Sequence, residues 1–193
     1  MKYFTLLIFF ALAGCIARPA VEVQDAAIHQ AQNEKIMEAV KSVAVTGDWL
    51  VTRGYHATDA LVANATGTAL SHVAVYNAQS QTVVEAEGRG VHTTPLDAFV
   101  NKSYRLLVIR PRWLTPDNAG TAYASAEQLV GKDYDYLGTI GFDSPDRYYC
   151  SELAVSIYKP WQRPVEKFPD VIKPGDLYLY GRVVYDSLPR EEI

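Results

Sequence analysis

The chain has 193 residues, of which 49% are hydrophobic and 21% are charged, and its formal net charge is −4. This length and composition are typical of one globular domain with a hydrophobic core, and they leave too little chain for two comfortable domains. The negative charge, without any Lys/Arg cluster, argues against a nucleic-acid partner.

The N-terminus is typical of a secretory signal. Lys2 is followed by a short apolar run that ends in Leu12-Ala13-Gly14-Cys15. This run is too short to cross a hydrocarbon core of about 30 Å. Its last four residues resemble the lipobox of bacterial lipoproteins, which implies cleavage after residue 14 and attachment of lipid to Cys15. The alternative is an ordinary signal cut near Ala17 with an incidental cysteine.

Residues 1–14 are therefore predicted to be a lipoprotein signal peptide. We expect a protein of the cell envelope that is held at the membrane through lipidated Cys15. In a Gram-negative source, Ile16 resembles the pattern of lipoproteins sent to the periplasmic side of the outer membrane. Residues 15–44 are predicted to be a tether and an N-terminal helix, and residues 45–193 the main domain.

Hydrophobic periodicity predicts an α+β fold in which an antiparallel sheet packs against helices. The apolar residues of 25–43 fall mostly on one helical face, and His29 is interpreted as a surface residue of that helix. Strands are expected at 49–53, at 70–76 and 81–87 as a hairpin, at 104–109, and late in the chain at 176–180 and 183–185. Further helices are expected at 94–100, at 115–130 and from Ser151 onward.

Cys150 lies at or just before the first turn of the last predicted helix. Unpaired N–H groups and the positive end of the helix dipole favour a thiolate there, and the same N–H groups could hold an oxyanion. If Cys15 is lipidated, Cys150 is the only thiol left and has no disulfide partner. Such a cysteine is either a nucleophile or a small buried core residue.

A cysteine nucleophile needs a base and a group that orients the base. His72 begins a predicted strand and can point into a cleft, although a surface histidine at a strand edge fits the same position. Glu85 and Glu87 share one face of the returning strand, and either carboxylate could orient the imidazole. The four histidines and Cys150 show no metal-ligand spacing, so neither a metal nor an organic cofactor is expected.

Five segments carry a resemblance to a known family. They occur in the order Gly47-Asp48-Trp49-Leu50, Ser71-His72-Val73-Ala74-Val75-Tyr76, Val84-Glu85-Ala86, Gly131-Lys132-Asp133-Tyr134-Asp135 and Tyr148-Tyr149-Cys150-Ser151-Glu152-Leu153. Over about residues 45–185 the chain resembles the permuted papain-like cysteine hydrolases, in the YiiX/YebB-like branch of the NlpC superfamily. The resemblance implies a circularly permuted papain-like fold, in which the histidine precedes the cysteine.

The resemblance also implies roles for particular residues. Cys150 would be the nucleophile, His72 the base and Glu85 the third polar group, while Tyr134 would line the site and help to bind the oxyanion. Glu87 and His92 have no counterpart and are taken as rim residues.

The resulting hypothesis is a thiol hydrolase, or an acyltransferase, that acts on an amide or ester. Its substrate would be a cell-envelope peptide such as a peptidoglycan amide, or a lipid acyl group. The alternative is a non-catalytic envelope lipoprotein that keeps the fold as a binding module.

Overall fold

The computed structural model describes residues 21–142 and 144–190. The predicted signal peptide and Cys15 lie outside the described residues. Within those two ranges, no helix is long and apolar enough to span a membrane.

Helices and strands are interspersed along the chain. The helices are α1 (Ala26–Val43), α2 (Ala57–Thr66), α3 (Leu96–Asn101), α4 (Ala119–Gln128) and α5 (Cys150–Ser156). The strands are β1 (Trp49–Gly54), β2 (His72–Asn77), β3 (Thr82–Glu87), β4 (Gly90–Pro95), β5 (Ser103–Pro111), β6 (Asp133–Tyr134), β7 (Arg147–Tyr148) and β8 (Gly181–Asp186). Short 3-10 helices lie at Gly138–Ile140, Lys159–Trp161 and Pro174–Tyr180.

Six strands form one antiparallel sheet in the order β4-β3-β2-β1-β5-β8. Helices α1 and α3 cover one face of this sheet, and α4 and α5 cover the other. Side chains alternate between the faces as strand geometry requires. On β2, Ala74 and Tyr76 face α1 and α3, whereas Val73 and Val75 face α5. The predicted α+β class is confirmed, with both faces of the central strands buried.

The N-terminal helix forms as predicted and packs on the sheet through Ile36 and Val40. The Asp25 side chain caps it by accepting from the N–H groups of the second and third helical residues at 2.8 and 2.9 Å. The prediction of a surface His29 was wrong. His29 is only 7% exposed, and its Nε2 lies 3.0 Å from Asn101 Oδ1, because α1 docks this side against the end of α3.

Two buried aromatic residues fix α5 on the sheet. Trp49 Nε1 donates to the carbonyl of Ala154 at 2.9 Å, and the Tyr158 hydroxyl donates to the carbonyl of Gly47 at 2.6 Å. Both aromatic side chains are fully buried, so these bonds form away from water. They anchor α5 near its middle and just beyond its end, and the Cys150 end of the helix lies near the start of β2.

Two local predictions were wrong. Residues 90–95 form an extra strand, β4, where the hairpin was expected to end. Gly90 permits this because it has φ +97° and lies so close to Lys132 that a Cβ would come within 2.5 Å of the carbonyl oxygen.

The second wrong prediction concerns residues 176–180, which belong to a 3-10 helix instead of a strand. Pro174 begins this helix, and the edge of β5 is already paired with β8. Alternating apolar residues therefore did not indicate a strand here.

Candidate active site

Cys150 is the first residue of α5 and is only 6% exposed. Strand β7 leads into it and pairs in parallel with β6, so that Tyr134 lies opposite Tyr148. The segment just before β6 is in turn held to β4, where the N–H of Val91 donates to the carbonyl of Lys132 at 2.8 Å. These contacts bring Tyr134, Cys150 and the β3–β4 edge of the sheet to one place.

His72 connects the thiol to the sheet. Its Nε2 donates to Glu85 Oε2 at 2.6 Å, and the ring lies close enough to the Cys150 side chain for each group to shift the pKa of the other. Because Nε2 is engaged by Glu85, Nδ1 is the nitrogen left for the thiol. His72 can reach both partners because it is the first residue of β2, at the end of the strand.

The electrostatics of this pair favour charge separation. Burial alone would lower the pKa of His72, but its hydrogen bonds to Cys150 and Glu85 outweigh burial and raise that pKa to about 10. Burial alone would raise the pKa of Cys150, but the hydrogen bond and charge of His72 lower it. The Ser151 hydroxyl, 3.7 Å from Cys150 Sγ, and the backbone of Val73 act in the same direction. The pair is therefore suited to rest as thiolate and imidazolium.

Glu85 lies beside His72 because of the strand register. Ala74 is paired with Glu85, so His72 reaches Glu85 diagonally, two residues away along the ladder. Glu85 is fully buried, and it also accepts from Thr94 Oγ1 at 2.5 Å. Burial would raise the pKa of Glu85, but its contacts with His72, His92 and Lys102 lower it well below the usual range. A carboxylate that is ionised at neutral pH thus faces the imidazole.

The residues predicted to lie at the rim belong to the same charged cluster. Glu87 is 32% exposed and lies 2.5 Å from Lys102 Nζ. His92 Nε2 lies 3.4 Å from an oxygen of Glu85 and from one of Glu87. Lys102 was not indicated by any sequence pattern, nor was Thr94, because both reach Glu85 only through tertiary packing.

Tyr134 lies in β6, which pairs with the strand that leads into Cys150. Its ring packs edge-on against Tyr136, with ring centroids 4.8 Å apart, and Tyr136 donates to the carbonyl of Gly88 at 3.0 Å. Burial and the neighbouring Cys150 raise the pKa of Tyr134. Its hydroxyl therefore keeps its proton at neutral pH and can serve as a donor.

Three of these side chains could in principle hold a metal ion. His72, Glu85 and Glu87 offer ligand atoms that lie within 4.8 Å of one another. The Lys102 ammonium, however, lies 2.8 Å from each Glu85 oxygen and 2.5 Å from a Glu87 oxygen. A metal ion cannot share that position with an ammonium group, so this arrangement of side chains does not fit a metal.

The comparisons with known proteins agree with this geometry. The profile of the permuted papain-like amidase enzymes, the YaeF/YiiX or C92 family, matches residues 26–168. The chain belongs to this family. The match confirms the predicted family and the permuted papain-like fold. It also includes α1, which lay outside the segment that carried the resemblance.

A solved structure of this amidase family is also similar to the chain. The crystal structure described as the metalloprotein YiiX from Escherichia coli O157:H7 is 26% identical, with a TM-score of 0.51. The alignment covers 61% of this chain and 66% of the YiiX chain, just under two thirds of its length. No curated protein matches the chain.

Proposed function

We propose that this amidase-family chain is a cysteine hydrolase that cleaves an amide bond with Cys150, His72 and Glu85. One observation carries the proposal, namely the position of His72 between the Cys150 thiol, whose pKa it lowers, and the fully buried carboxylate of Glu85, which lies 2.6 Å from its Nε2. This is the arrangement of nucleophile, base and orienting group that acyl transfer requires.

The roles follow from the protonation states. The Cys150 thiolate attacks the substrate carbonyl and forms a covalent acyl-enzyme. The N–H of Cys150 and the hydroxyl of Tyr134 would donate to the developing oxyanion. His72 gives its proton to the departing amine and then takes one from the water that hydrolyses the acyl-enzyme. Glu85 keeps the ring oriented and stabilises its positive charge throughout.

Replacing Glu85 by glutamine should lower turnover without removing the nucleophile. The amide keeps the size of the side chain but removes the charge that orients and stabilises the His72 imidazolium, so we expect a loss of at least about tenfold in kcat. The measurement is the release of amines from an envelope peptide by the purified protein. Glu38→Gln, on the exposed side of α1, is the matched control. Equal kcat values for Glu85→Gln and the control would contradict the role of Glu85.

The family description supports an amide as the substrate. The proposed envelope location suggests an amide in a cell-envelope peptide. A specific observation supports an acyl chain as the second candidate. Three apolar side chains are 56 to 67% exposed in the segment that follows Tyr136, namely Leu137, Ile140 and Phe142. Exposed apolar side chains beside a site suit an apolar ligand. Assays for amines released from peptidoglycan and for fatty acid released from lipid separate the two candidates.

The proposed reaction does not use a metal ion. YiiX is described as a metalloprotein, but in this chain the Lys102 ammonium lies among the candidate ligand atoms. The chemistry of a cysteine hydrolase needs only the side chains already named.

We further propose that the protein is a lipoprotein anchored through Cys15, with its substrate in the cell envelope. This rests on the Leu12-Ala13-Gly14-Cys15 segment after the apolar run. We expect metabolic labelling with a radioactive fatty acid to mark the wild-type protein in bacterial cells and not Cys15→Ser. The wild type should sediment with membranes. Equal labelling of both proteins would contradict the lipidation of Cys15, and Cys150→Ser is the control for the other thiol.

A further inference from the structure

Lys102 occupies the centre of the carboxylate cluster beside the candidate nucleophile. It follows α3 directly, and its Nζ lies 2.8 Å from Glu85 Oε1, 2.8 Å from Glu85 Oε2 and 2.5 Å from Glu87 Oε1. The ammonium also lies 5.3 Å from the centre of the Phe99 ring. The Lys102 side chain is 23% exposed, so these contacts form largely out of water.

The hydrogen bonds of this cluster are complete. An ammonium group has three donors, and the three carboxylate oxygens around Lys102 Nζ match that number. A carboxylate accepts about four hydrogen bonds. Glu85 receives one from Thr94, one from His72 and two from Lys102. No acceptor position of Glu85 is left for a metal ion while Lys102 is in place.

The charges explain why a cation is needed here. Burying the Glu85 carboxylate is costly unless it is paired, and Glu87 adds a second negative charge beside it. The single positive charge of His72 is shared with the Cys150 thiolate, so it does not balance both carboxylates. Arg89 also lies beside Glu87, with its Nε 3.9 Å from a carboxylate oxygen, but its side chain is 68% exposed. Lys102 is the cation that contacts both Glu85 and Glu87.

We propose that Lys102 is a built-in cation that takes the place of a divalent metal ion between Glu85 and Glu87 and holds Glu85 in position for His72. The first part of this inference concerns binding alone. The second part makes Lys102 a positioning residue and rests on the proposed function. Lys102 reaches the reacting atoms only through Glu85 and His72.

Cobalt titration tests the first part without any need for turnover. All proteins carry Cys150→Ala, so that the thiol cannot act as a ligand, and Co²⁺ is followed by calorimetry and by its visible absorption. The protein with Lys102 should bind no Co²⁺ at this cluster. Lys102→Leu, which keeps an apolar stem near Phe99, should bind one Co²⁺ per chain, and adding Glu87→Gln should weaken that binding at least about tenfold.

Two results would overturn the metal-replacement part. One is Co²⁺ binding to the protein with Lys102 that depends on Glu87. The other is a folded Lys102→Leu protein that binds no Co²⁺. Circular dichroism checks the fold, and Lys102→Ala, which has more room for an ion, is the second variant if leucine disturbs the packing.

Chemical rescue tests the positioning part. With Cys150 intact, Lys102→Ala should lower kcat by about tenfold to 100-fold, the loss found when partners that orient metal ligands are removed. Ethylammonium added to the assay should restore part of this loss, since it can donate to Glu85. Tetramethylammonium, which has the charge but no N–H donor, should not. Undiminished turnover in Lys102→Ala, or equal effects of the two ions, would overturn the positioning role, and the cobalt result stands whether or not the proposed function holds.

Discussion

Replacing Cys150 by alanine should abolish amide hydrolysis and leave the fold unchanged. The Cys150 sulfur is the atom that would form the bond to the substrate, and no other thiol lies near His72 in the described part of the chain. Removing the nucleophile of a comparable triad costs on the order of 10⁶-fold in kcat. The measurement is amine release at saturating substrate, with thermal unfolding as the check on structure.

Ser156→Ala provides a control on the same helix. Ser156 is the last residue of α5, at the opposite end of the helix from Cys150. Its hydroxyl donates to the carbonyl of Leu153 at 3.0 Å. We expect this variant to keep its turnover. Full activity in Cys150→Ala would contradict the nucleophile. A folded wild-type protein with no activity on peptide or lipid amides and esters would favour the non-catalytic binding module.

The second large effect is expected in the reactivity of the thiol with pH. With Cys15→Ser, Cys150 is the only thiol of the chain. Its alkylation should persist well below the free-cysteine pKa of about 8.5, because His72 lowers the pKa of Cys150. His72→Ala removes the largest effects that lower the pKa of Cys150 and leaves burial, which raises it, as the largest that remains, so the profile should move upward. The same His72→Ala change should also abolish turnover.

The alkaline side of that profile reports on His72. Its pKa is raised to about 10, so the imidazolium persists up to that pH and is lost above it. The alkylation rate should therefore rise a second time near pH 10, where the thiolate is released from the ion pair. His56→Ala, which changes an exposed histidine, should leave both steps in place. A Cys150 that titrates near 8.5 with and without His72 would contradict the activated pair.

The same groups determine how stability depends on pH. The folded-state pKa of His72 is raised, so its contribution to stability is fully present below the unfolded value of 6.5 and is lost as the pH rises through about 10. The pKa of Glu85 is lowered, so its contribution is present above the unfolded value of about 4.3 and is lost as the pH falls below it. Both contributions are therefore fully present between about pH 4.3 and pH 6.5.

Local sequence patterns were sufficient for most of the elements that carry the site. Apolar periodicity predicted α1, and the alternation of residues 70–76 and 81–87 predicted the β2–β3 hairpin. Cys150 was expected at the first turn of a helix, and it is the first residue of α5. These features depend on residues a few positions apart, so the sequence contains the information directly. The order of the five motifs was sufficient to identify the family.

Tertiary structure alone decided which groups meet. The family resemblance implied Glu85, but the strand pattern alone left Glu85 and Glu87 open. The choice depends on the ladder register, in which Ala74 is paired with Glu85, and a pattern of period two does not contain that register. Lys102 enters the cluster from the end of α3, seventeen positions after Glu85, because α3 packs on the face of the sheet that carries Glu85. His29 is buried for a similar reason, since the end of α3 covers it. By itself the sequence determined the elements and the family, whereas long-range packing determined the charges around His72.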